Sequence, residues 1–154
     1  MRIRSLVSLA ASAAALLVPA APAHAATNGL YLLRDAASGR CVAPVDGPVG
    51  GPLQQCGPDS RWNLQSVGDG TVRFTEVSGE GRCLGVSPAF VYPTALRLSA
   101  CGTAPDAWRV VGPHAPEVDA LELAAVPRSG LAVVGDRTTL ADGLSFQWIV
   151  QKVG

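Results

Sequence analysis

The sequence predicts an all-β chain, twelve short strands in three pseudo-symmetric repeats that close as a β-trefoil. Three observations predict it. One ordered string of residue types occurs three times: Gly39–Trp62 (GRCVAPVDGPVGGPLQQCGPDSRW), Gly81–Trp108 (GRCLGVSPAFVYPTALRLSACGTAPDAW) and, without cysteines, Ser129–Trp148 (SGLAVVGDRTTLADGLSFQW). The 17 Gly and 12 Pro fall every few positions and leave no stretch for a long helix. The closing tryptophans, Trp62, Trp108 and Trp148, recur at intervals of roughly 40–46 residues, room for four short strands and their turns. Propeller blades have a similar length, but propellers usually need at least about four of them to close. Three units are better closed as a short barrel capped by three hairpins.

Taken in order, the chain opens with Arg2 and Arg4 before an apolar run, Leu6–Val18, and then Ala23-His24-Ala25 as a small-x-small cleavage site. Residues 1–25 read as a secretory signal peptide, cut near Ala25/Ala26. The run is shorter than the roughly 18 apolar residues that span a bilayer, and Pro19 and Pro22 interrupt it further, so no membrane insertion is expected. Residues 26–154 then form one domain of ordinary size, secreted, with repeats at about 29–68, 70–112 and 117–153.

In the first repeat the apolar residues fall in Leu30–Arg34, Arg40–Val45, Pro52–Cys56 and Trp62–Val67. Breaks fall at Ser38-Gly39, the Gly47–Gly51 loop and Gly57-Pro58-Asp59. The second repeat predicts strands over Thr71–Val77, Arg82–Ser87, Ala95–Cys101 and Trp108–Val111. The third predicts them over Ala120–Val126, Leu131–Val134, Thr138–Ala141 and Phe146–Gln151. Alternation in Leu96/Leu98 and Leu121/Leu123 has the period of a half-buried strand. The indoles carry the most area per residue, so Trp62, Trp108 and Trp148 are expected to anchor the core rather than to offer ligand platforms. The Pro-flanked segment Gly112–Glu117 reads as a linker between the second and third repeats.

An even number of cysteines in an exported chain points to disulfides. Local pairing within repeats gives Cys41–Cys56 and Cys83–Cys101. No two cysteines have the two-to-four-residue separation usual in zinc sites, so no metal is expected. The 12 basic and 12 acidic residues balance, and loss of Arg2 and Arg4 leaves a net charge of about −2. Such a chain has no basic footprint for nucleic acid.

Catalytic patterns are sparse. His114 is the single histidine after residue 25, and between Pro113 and Ala115-Pro116 it reads as a solvated loop residue rather than a base. Paired carboxylates for glycoside hydrolysis remain open on composition, but no acid sits in a recognisable motif. Asp35, Asp59, Asp69, Asp136 and Asp142 fall beside turn residues and read as turn formers. The Gly47–Gly51 loop lacks the Gly-Lys-Ser/Thr continuation of a phosphate cradle. The chain reads as non-enzymatic and needs no cofactor.

Ser38-Gly39-Arg40-Cys41-Val42, Leu53-Gln54-Gln55-Cys56 and Trp62 resemble the repeat of the ricin B-type lectins. Gly81-Arg82-Cys83-Leu84, Leu96–Cys101 and Trp108 repeat the resemblance, which covers essentially all of residues 26–154. It implies the trefoil fold and sugar binding. Growth-factor and protease-inhibitor trefoils share the architecture, but this Cys…Cys…Trp order is not their usual pattern. The family's closing Gln-x-Trp is degenerate, with Ser60, Asp106 and Phe146 at the Gln position. In galactose-binding members an Asp two residues after the first Cys accepts from sugar hydroxyls, an aromatic in the next hairpin stacks on the ring, and Asn or Gln before the Trp completes the site. The Asp position here holds Ala43, Gly85 and, in the third repeat, Ala132 or Val133. The aromatic persists only as Phe90 and Tyr92 around Val91. Asp59 and Asp106 are the polar groups near the Trp residues, and both also suit the capping of a turn.

Two functions follow. One is a secreted carbohydrate-binding module whose best site lies in the second repeat, with Phe90, Tyr92 and Asp106 as candidate ligand-binding residues. The other is a protein-binding adaptor or accessory subunit of a secreted toxin or cell-surface complex, its sugar sites lost. The expected partner is thus a glycan or another secreted protein. Protease inhibition has no loop motif behind it.

Overall fold

The computed structural model describes residues 26–45, 52–87 and 94–154. The expected signal peptide and the hairpin residues Phe90 and Tyr92 lie outside the described residues. Among the described residues ten strands form: β1 (Gly29–Asp35), β2 (Arg61–Gly68), β3 (Thr71–Glu76), β4 (Cys83–Val86), β5 (Leu96–Ser99), β6 (Trp108–Val111), β7 (Ala120–Leu123), β8 (Ser129–Val134), β9 (Arg137–Asp142) and β10 (Trp148–Lys152). The described helical content is one 3-10 turn, Pro58–Ser60.

The first and last strands of each repeat build the barrel. Antiparallel neighbours run β10–β1–β2–β3–β6–β7, and the ring closes through Asp119 and Trp148, which exchange backbone N–H···O bonds of 2.7 and 3.1 Å. The middle strands form the cap. β4 pairs with β5 from Cys83↔Ser99 to Val86↔Leu96, and β8 with β9 from Ser129↔Asp142 to Val134↔Arg137. Bridges Pro52↔Arg137 and Thr94↔Leu140 join neighbouring cap segments. This is the β-trefoil.

The first repeat departs from the expected twelve strands. Its two middle segments, expected over 40–45 and 52–56, contribute bridge positions only: Arg34↔Cys41, Cys41↔Gln54 and Pro52↔Arg137. Pro44 and Pro52 have no N–H to give to a ladder, so the pairing cannot extend past Cys41 and Gln54. The disulfide Cys41–Cys56 closes this hairpin, and Cys83–Cys101 closes the second.

Threefold symmetry is clearest in the core. Trp62, Trp108 and Trp148 are fully buried. Each indole Nε1 donates to a backbone carbonyl of its own repeat: Trp62 to Val42 at 2.9 Å, Trp108 to Leu84 at 2.8 Å and Trp148 to Leu131 at 2.7 Å. The acceptors follow Cys41, Cys83 and Gly130, which fixes the three positions as equivalent. Buried Leu64, Phe74, Leu96 and Leu140 belong to the same core cluster as the indoles.

Carboxylates at the ends of the opening strands tie down the turns that follow. Asp35 accepts from the Ser38 N–H and hydroxyl. Glu76 accepts from the Glu80 and Arg82 N–H groups and from the Arg82 guanidinium. Glu122 accepts from the Arg128 N–H. The Arg82 side chain holds the Glu76 carboxyl below its ordinary range, against the opposing push of burial.

Candidate functional site

The positions equivalent to the lectin acceptor follow from the register just described. Two residues after Cys41, Cys83 and Gly130 stand Ala43, Gly85 and Ala132. Ala43 and Ala132 are buried and apolar. Gly85 is a further departure, because its surroundings are closed. A Cβ there would lie 2.6 Å from the Pro105 carbonyl oxygen and 3.2 Å from the Asp106 Cβ. The same Pro105 carbonyl accepts from the Val86 N–H at 3.1 Å, so the chain cannot move aside without losing that bond. Installing the missing acceptor as Gly85→Asp is therefore expected to cost about 1–3 kcal/mol through overpacking and to give no new sugar affinity. Denaturant unfolding and a galactose titration of the variant check both halves.

The same approach positions Asp106. It is buried, with Oδ1 accepting from Arg73 Nε at 2.9 Å and Oδ2 from the Gly102 N–H at 2.6 Å. Its carboxylate thus fixes the turn before Trp108 and holds an arginine. Arg73 is about one-third exposed at this edge of the second repeat, and its guanidinium carries further N–H donors beyond the Nε bound to Asp106. Arg73 was not singled out by sequence because it sits on β3, far along the chain from Asp106. Cys83, Cys101 and Asp106 lie close together, but both sulfurs are spent in the disulfide and offer no thiolate to a metal. At the other two Gln positions Ser60 is buried, donating to the Gln55 carbonyl, while Phe146 is exposed.

His114 corrects the reading of a solvated loop residue. It is about 29% exposed, and Nδ1 lies 3.2 Å from Oδ1 of Asp119, which also accepts from the His114 N–H at 2.9 Å. Asp119 has no exposed surface, and its Oδ2 is without a hydrogen-bond partner among the described residues. Burial pushes its carboxyl above the ordinary range, and the His114 N–H and imidazole only partly offset this. Gly112 makes room for the pair, since a Cβ there would lie 2.6 Å from Asp119 Oδ1. His114, Tyr31, Val110, Val150 and Lys152 surround a concavity of about 330 Å³ at the edge of the barrel. Sequence separation did not hide this pair; the Pro-rich context of His114 did.

No family model matches the sequence, and no curated protein matches it. Solved structures do. The chain superposes on the Macrolepiota procera ricin B-like lectin in complex with lactose with a TM-score of 0.64 at 14% identity, over 83% of this chain and 98% of that one. The Rhizoctonia solani agglutinin gives 0.62 at 18% identity, over 83% and 97%. A GlcNAcα1-4Gal-releasing endo-β-galactosidase from Clostridium perfringens gives 0.65 at 12% identity, over 82% of this chain but only 33% of the enzyme. At these identities the likeness establishes the β-trefoil fold shared with ricin B-like lectins.

Proposed function

We propose that the protein is a secreted, non-catalytic binding module of lectin-like trefoil type that takes glycans through its second repeat. The observation that carries this reading is the superposition of 83% of the chain on a ricin B-like lectin in complex with lactose. Three further features support it. The Phe90-Val91-Tyr92 sequence between β4 and β5 is apolar where turn sequences are ordinarily polar, and a tyrosine offers both a face for a sugar ring and a hydroxyl. Asp106 holds Arg73 through its Nε in the same repeat, so the guanidinium is fixed before any ligand arrives. Two disulfides suit an oxidising, extracellular setting. Fold alone does not determine function, so the site must carry the test.

One observation favours the adaptor reading instead: the three acceptor positions are apolar, and at Gly85 the space is closed. A single variant separates the two. Tyr92→Ala is expected to abolish glycan binding by the second repeat while leaving the thermal midpoint nearly unchanged. If free monosaccharide fails to compete and the same substitution instead weakens capture of a secreted protein, the surface belongs to a protein partner. Unfolding by Tyr92→Ala, or no effect on any binding, would assign the residue to structure.

A further inference from the structure

A second concavity, about 450 Å³, opens between the first and third repeats, within the roughly 300–1,000 Å³ range of small-ligand sites. Its walls are the end of β1 (Asp35) with the loop that follows it (Ser38, Arg40), the β8–β9 turn (Gly135, Asp136) and Gln147 before β10. Leu53, Val133 and Ala37 add apolar surface. It is not an equivalent of the lectin acceptor positions. Val133 follows Ala132 on β8, and successive strand residues point to opposite faces of a sheet, so this cleft uses the other side of the hairpin.

The walls are held by backbone bonds. The Ala36 N–H donates to the Gln147 carbonyl at 2.8 Å, and the Leu53 N–H to the Asp136 carbonyl at 3.2 Å. The Asp35 N–H donates to the Arg40 carbonyl at 2.8 Å. The cleft is therefore formed without a ligand. One lining residue is unfinished: Gln147 Nε2 is buried and has no hydrogen-bond partner among the described residues. An amide donor in that state costs free energy that a ligand acceptor would recover.

The chemistry of the lining selects among ligand classes. An anion would satisfy Gln147 and Arg40 but would face two carboxylates, Asp35 and Asp136. An ammonium ion would suit the carboxylates but has no acceptor to offer the Gln147 amide. A hydroxyl both accepts and donates, so several hydroxyls on one ring can meet the amide and guanidinium donors and the carboxylate acceptors together. The Leu53, Val133 and Ala37 surface suits the C–H face of such a ring. We infer that this cleft is a second binding site for an uncharged saccharide residue, contacted by Gln147, Arg40 and Asp136. The inference rests on the glycan-binding reading above but places its contacts in a different part of the molecule.

The test is an NMR titration of the disulfide-bonded protein with galactose, glucose, mannose and N-acetylglucosamine, each alone. At least one should shift the Gln147 side-chain amide and the Ser38 and Gly135 backbone amides together, with one saturating curve. Gln147→Leu should weaken that sugar about tenfold, and Arg40→Ala, an exposed loop change, should weaken it without altering the fold. Tyr92→Ala should leave the cleft response intact. If none of these sugars moves the cleft amides, or if both cleft variants bind as the parent does, the inference is overturned. Glycan binding lost in Tyr92→Ala with a silent cleft would sink this site and leave the second-repeat reading standing. A responsive cleft with Tyr92→Ala neutral in every assay would do the reverse.

Discussion

Trp108→Ala is expected to cost the fold about 3–5 kcal/mol in denaturant unfolding. Two losses combine. The indole is fully buried at the centre of the core, and its removal leaves a cavity that the surrounding β-ladders resist filling. The Leu84 carbonyl also loses the 2.8 Å bond from Nε1, in a place with no water to replace it. Against the roughly 5–15 kcal/mol typical of a domain this size, that is about a fifth of the stability or more. Trp62→Ala and Trp148→Ala should cost similar amounts, because each indole makes the equivalent bond in its own repeat. A loss below about 1 kcal/mol at all three, the size of an ordinary surface change, would remove the core from the account.

Removal of a disulfide is the second large effect. The closed loops span 15 residues for Cys41–Cys56 and 18 for Cys83–Cys101, so chain entropy alone gives each about 3 kcal/mol. The native state separates them. In the second repeat β4 and β5 remain paired from Cys83↔Ser99 to Val86↔Leu96 when the crosslink is gone. In the first, the described hairpin pairing is the Cys41↔Gln54 bridge, directly beside the crosslink. Serine replacement of Cys41 and Cys56 is therefore expected to be the more damaging, and to expose the first-repeat hairpin amides to hydrogen exchange. Equal losses for the two pairs, with no local increase in exchange, would show that the ladders contribute little to either hairpin.

The fold was legible because its signals are local and repeated. Each Trp, each Cys pair and the Gly/Pro punctuation occupy the same order in the sequence as in the barrel. The first-repeat middle segments are the exception, because they are apolar enough for strands, yet Pro44 and Pro52 limit them to bridges. The site was less legible because it is assembled across the chain. Asp106 could be named from its place before Trp108, but its Arg73 partner lies on another strand. His114 looked solvated because flanking prolines signal a loop, and nothing local shows that the turn folds back onto buried Asp119. The cleft between repeats joins Ser38, Leu53, Asp136 and Gln147, contacts that exist only once the barrel has closed. Nor does composition reveal that Gly85 has no room for the acceptor the lectin pattern would place there.

The central claim, that this trefoil binds glycans, is tested most directly by probing a glycan array with the folded, disulfide-bonded protein. The account predicts retention on a defined subset of glycans, competed away by the free monosaccharide those glycans share. A protein with intact near-UV circular dichroism and both disulfides that is retained on none of them would contradict it.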